Sequence, residues 1–109
     1  MITITITRTR EEITAFEISG HADSGPYGYD LVCAGVSAVS FGTVNAIDRL
    51  FHVQMHIEQG EDGGYLSVQI PRVPDEEEHN HVQTLLEGML VSLQTIERDY
   101  NRFIRIISK

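Results

Sequence analysis

Ile2-Thr3-Ile4-Thr5-Ile6-Thr7 alternates apolar and polar residues without a break. A period of two lays the three isoleucines on one face of a half-buried strand, whereas a helix would scatter them around its axis. Arg10-Glu11-Glu12 follows as a turn. Phe16 and Ile18 then alternate with Glu17 and Ser19 up to Gly20, so a second strand returns antiparallel and the hairpin delivers His21 to a strand end.

Residues 21 to 29, His-Ala-Asp-Ser-Gly-Pro-Tyr-Gly-Tyr, hold two glycines and a proline with no periodicity and read as a loop. Such a loop is expected to act as a hinged cover over whatever its flanks hold, with Tyr27 and Tyr29 either closing on a ligand or packing on the sheet. Asp30 then stands as a helix N-cap, and Val32, Val36, Val39, Thr43, Ile47 and Leu50 recur at helical spacing to about Phe51. Val53, Met55 and Ile57 alternate, Glu61-Asp62-Gly63-Gly64 turns the chain, and Leu66, Val68 and Ile70 alternate again, giving a second hairpin. Pro71 and Pro74 end it. Asp75 to Glu78 place four acids at the positive end of a helix dipole, and Val82, Leu85, Leu86, Met89, Leu90, Leu93, Ile96 and Tyr100 mark a long amphipathic helix. Phe103 to Ile107 closes the chain as a short strand. The expected fold is α+β: a single domain over residues 1–109, order ββαββαβ, with a mainly antiparallel sheet packed with two helices.

A chain of 109 residues has material for one core, since a second would need roughly another 50 residues. Apolar residues at 41% and charged residues at 22% exclude a disordered or fibrous chain. The apolar runs read as too short to span a bilayer, and the N-terminus lacks the basic-then-apolar pattern of an export signal, so a cytoplasmic protein is expected. A single cysteine cannot form an intramolecular disulfide, which fits a reducing compartment. A formal charge of −8 repels a phosphate backbone and disfavours direct nucleic-acid binding, while a cationic peptide would be attracted.

Cys33 is therefore either buried filler or a working thiol. A thiol reacts as thiolate, and a helix N-terminus with a nearby imidazolium stabilises that form. Cys33 in the first turn of the first helix, and His21 at the end of the preceding strand, supply both aids if the loop between them folds back on one cleft. The other histidines, His52, His56, His79 and His81, are spaced poorly for a shared metal, so solvated side chains and no metal site or cofactor are expected.

The text around the cysteine decides between the two readings. Gly20-His21-Ala22 followed by Gly28-Tyr29-Asp30-Leu31-Val32-Cys33-Ala34-Gly35-Val36-Ser37 resembles the ribosomal-processing cysteine protease family, with Leu31 and Gly35 as mild departures from its commoner Ile and Ala. The resemblance extends more weakly over nearly the whole chain. It implies a catalytic dyad of Cys33 as nucleophile and His21 as general base and acid, and, as substrate, the N-terminal extension of the twenty-seventh protein of the large ribosomal subunit. Asp30 then either orients His21 or caps the helix, and the cap is favoured because a carboxylate beside a thiol opposes thiolate formation. Ser37 contacts substrate or bonds back into its own helix. Ala34 and Ala22 are expected to border the substrate, with main-chain N–H groups of Cys33 and Ala34 as oxyanion donors. Two rivals stay open: a non-enzymatic ribosome-associated module that binds a ribosomal tail without cutting it, and a dimerisation domain. A homodimer is also compatible with the protease.

Overall fold

The computed structural model describes residues 1–20, 29–61 and 64–109, with residues 29 and 30 described as helical main chain. The elements run β1 (Ile2–Thr9), β2 (Glu12–Ser19), α1 (Tyr29–Phe51), β3 (His56–Gln59), β4 (Tyr65–Gln69), α2 (Glu76–Asp99) and β5 (Ile104–Ser108). The strands form one sheet in the order β3-β4-β2-β1-β5, antiparallel except where β5 runs parallel to β1. The ββαββαβ order and mainly antiparallel sheet are as the periodicity predicts.

The register explains where the core sits. Ile6 pairs with Phe16 and Phe16 with Val68, while Ile4 pairs with Ile18 and Ile106, and Ile18 with Leu66. Paired residues share a face, so an apolar row crosses four strands. Both helices lie against that face, and Ile4, Ile6, Phe16, Val68, Val82, Leu86 and Leu93 are buried between the layers.

The first hairpin turns on two residues with left-handed backbone, Arg10 (φ 52) and Glu11 (φ 71). A two-residue loop of that hand matches the twist of the strands it joins. β2 consequently starts at Glu12, earlier than the alternation from Phe16 suggests, and the register shifts between Thr7 and Arg8. Arg8 donates to both carboxylate oxygens of Glu87 at 2.6 and 2.8 Å, clamping the strand end to α2. α2 is capped by Asp75, whose side chain accepts from the Glu78 N–H at 2.9 Å.

Three expectations are corrected at the element ends. The helix stops at Phe51 because His52 takes φ 55, with its N–H donating to the Asp48 carbonyl, so β3 begins at His56 and Val53 and Met55 lie in the connection. Leu50 is 64% exposed and is not a core position; Val44 and Ile47 fill that end of α1 instead. Leu31–Phe51, with mean hydropathy 1.4, is long and apolar enough to cross a bilayer by length and composition, contrary to the expectation of short apolar runs. Its inward residues Val32, Val36, Val44 and Ile47 are packed into the core.

Candidate active site

β2 and α1 bring Gly20, the residue before His21 in sequence, and Cys33 to the rim of one cavity. Gly20, the last described residue before His21, sits at φ +91, where an added Cβ would collide with the main-chain carbonyl of Met1. Its N–H donates to the Gly64 carbonyl at 3.0 Å. The position thus needs glycine both for its backbone conformation and for the close approach of the chain start. His21 and Ala22 lie outside the described residues, as does the loop assigned as a cover, with Tyr27.

Cys33 is partly exposed and borders a cavity of about 370 Å³. Ile2, Ile18 and Leu66 of the sheet floor it, Val36, Ser37, Ser40 and Phe41 of α1 form one side with the cysteine, and Gln59, Gly60, Gly64 and Tyr65 of the second hairpin form the other. Gly20 also lines it, so β2 ends at the wall of the cavity that Cys33 borders. The apolar floor suits an extended peptide better than a polar metabolite.

The α1 register changes the roles of several residues. The helix begins at Tyr29, so Asp30 is its second residue and not the residue before it. Cys33 is consequently in the second turn, beyond the first four N–H groups that a helix leaves free. The N–H groups of Cys33 and Ala34 therefore lie one turn inside the helix start. Ala34 is exposed on α1 beside Cys33, and Ser37 is exposed and lines the cavity. Ser40, which the sequence reading passed over, is fully buried in the same wall and its hydroxyl donates to the Val36 carbonyl at 2.7 Å. A serine on the inner side of an otherwise apolar helix stripe was the available signal.

The remaining histidines are distributed as their spacing suggests, with one exception. His79 is 4% exposed and not solvated: its Nδ1 accepts from the Val73 N–H at 3.2 Å and its Nε2 lies 2.9 Å from Glu12 Oε2. With Nδ1 accepting, the ring carries its proton on Nε2 and donates to Glu12. Both nitrogens are engaged in holding the α2 start to β2. His81 stacks on Phe51 with ring centroids 5.9 Å apart. Among the described residues, no three side chains of metal-ligating type converge.

Comparison with known proteins accounts for this arrangement. Residues 1–105 match the family model described as cysteine protease Prp. The ribosomal processing cysteine protease Prp of Bacillus subtilis (strain 168) is 48% identical over 107 residues, covering 97% of this chain and 96% of its own length. The crystal structure of the essential ribosomal processing protease Prp from S. aureus in complex with a covalently linked product peptide is similar at TM-score 0.86, with 44% identity and both chains fully covered. Its complex with a substrate peptide is similar at TM-score 0.85 with 43% identity, again over the whole of both chains.

Proposed function

Because this chain belongs to the cysteine protease Prp family, as its match over residues 1–105 and its 48% identity to a curated member establish, we propose that it is the endopeptidase that removes the N-terminal extension of the twenty-seventh large-subunit ribosomal protein during ribosome maturation. That the chain is a cysteine peptidase follows from the family itself. The substrate, the dyad and the cellular setting are our reading.

Cys33 is the nucleophile and His21 the general base and acid. The observation that carries this reading is the cavity bordered by Cys33 and, through Gly20, by the residue immediately before His21. His21 takes the thiol proton, and the Cys33 sulfur forms a bond to the scissile carbonyl carbon as negative charge moves to the carbonyl oxygen. When the tetrahedral adduct collapses, the C–N bond breaks and the imidazolium hands its proton to the departing amine. Water, deprotonated by the neutral imidazole, then displaces the sulfur and releases the new carboxyl terminus. These steps balance without a metal or an organic cofactor.

Ser37, on the cavity wall, offers its hydroxyl to the peptide main chain. Ala34 and Ala22 border the substrate as small neighbours that keep the approach to the sulfur open. Asp30 acts on the helix dipole in preference to His21. The enzyme works in the cytoplasm as a homodimer, without direct contact to nucleic acid or membrane. The test is incubation of the purified chain with the N-terminal peptide of the host ribosomal protein, read by mass spectrometry. A single cut with a thioester adduct on Cys33 at early times supports the assignment. Binding without any cut would leave the non-enzymatic tail-binding module as the better account.

A further inference from the structure

The cavity at Cys33 does not end where the catalytic groups end. Phe41 borders it from α1, eight residues after Cys33, and is 38% exposed. Eight residues of helix advance about 12 Å, the reach of about four residues of extended chain. Opposite stands β3. Ile57 pairs directly with Val68, so the two side chains share the sheet face that the helices cover. Yet Val68 is 0% exposed and Ile57 is 41% exposed. The helix layer therefore stops short of β3. α1 leans on α2 more than on any strand, and α2 approaches β5 and β2.

Gln59 links the two exposed apolar residues. It lines the cavity together with Phe41, and it lies two positions from Ile57, on the same face of β3. β3 follows α1 after a short connection and runs back beside it, which sets Ile57 farther from the Cys33 end than Gln59. β3 is also the edge of the sheet, with all four of its residues exposed. An edge strand offers main-chain donors and acceptors that an extended peptide can pair with.

We propose that Phe41 and Ile57 form an apolar specificity subsite for the substrate chain, set three to five residues from the scissile bond on one side, with the peptide extended between α1 and β3. This rests on the assignment of Cys33 as nucleophile and adds to it a second recognition point that the catalytic residues do not touch. The occupant is the substrate because the surface is continuous with the cavity holding the reacting sulfur, and because a bulky apolar side chain fills a gap that the fold itself leaves open.

The experiment uses fluorogenic peptides of one parent sequence in which each position within five residues of the cut is set in turn to Leu or Ala. Wild-type enzyme should prefer Leu at one such position. Phe41→Ala and Ile57→Ser should each lower kcat/KM for the Leu peptide about 10- to 100-fold, chiefly through KM, and leave the Ala peptide within about threefold. Phe41→Leu and Ile57→Thr, which keep most of the volume, serve if the first pair fails to fold, and each should narrow the Leu-to-Ala ratio. Peptide affinity for the Cys33→Ala protein should fall in parallel. Equal losses on both peptides, or an unchanged Leu-to-Ala ratio in every variant, would overturn the subsite. So would loss of self-association in sedimentation with substrate discrimination intact, which would make this face a contact between two copies. Undiminished cleavage by Cys33→Ala would instead remove the nucleophile assignment, a separate failure.

Discussion

A thiol at Cys33 is replaceable by nothing else among the natural side chains, because a hydroxyl at the same place ionises far too reluctantly for an imidazole to activate it. Cys33→Ala and Cys33→Ser are therefore expected to abolish peptide cleavage while leaving the melting temperature near that of the parent, since the side chain is small and only partly buried. Near-normal turnover by either variant would remove the nucleophile. His21→Ala is expected to lose roughly 10² to 10⁴ in turnover, with far-ultraviolet circular dichroism unchanged; a collapsed spectrum would make His21 structural instead. The neighbouring Gly20 is itself tightly constrained. Only glycine tolerates both φ +91 and the carbonyl of Met1 where a Cβ would stand, so the strand can end and turn into the cavity wall without displacing the chain start.

At the level of elements, the strict alternation of Ile2 to Thr7 and the helical spacing from Val82 to Leu93 were decisive because each is the direct imprint of one buried face. Less was legible where burial and local chemistry disagree. His79 reads as a polar first-turn residue, yet it is buried because its ring satisfies both the Val73 N–H and Glu12 across 67 residues of sequence. A partner that distant leaves no trace in local spacing. Likewise α1 starts at Tyr29, which places Cys33 two residues deeper in the helix than a cap at Asp30 implies. The clamp between Arg8 and Glu87 carries a pH signature. The Arg8 hydrogen bond, opposed by burial and aided by its charge, holds the Glu87 carboxyl below the usual carboxylate range. Its contribution is present above the unfolded carboxylate pKa of about 4.3 and is lost as pH falls through the lower folded value. With side chains 31% and 45% exposed, screening limits it to about 1 kcal/mol or less. Glu87→Gln should be slightly less stable than the parent in denaturant titrations at pH 7, and the gap should close in acid; a gap that widens below pH 4 would contradict the ion pair.

For the molecule as a whole, 16 acidic against eight basic side chains create a field that acts on the substrate before any contact is made. Several of the acids are engaged away from the cavity: Glu76, Glu77 and Glu78 complement the start of α2, and Glu87 is paired with Arg8. An attraction of net charge acts through solvent and is screened over about 8 to 10 Å at ordinary ionic strength. The apolar cavity, by contrast, contributes through burial and is indifferent to moderate salt. The two contributions separate in one measurement. For a peptide whose residues beyond the cut are lysines, kcat/KM should fall several-fold between about 20 mM and 300 mM sodium chloride, with kcat nearly unchanged. A peptide identical except for serines in place of the lysines should show almost no salt dependence over the same range, and should match the low-salt lysine peptide in kcat. If both peptides respond alike, the acidic surface plays no part in capture, and recognition rests on the cavity between α1 and the second hairpin alone.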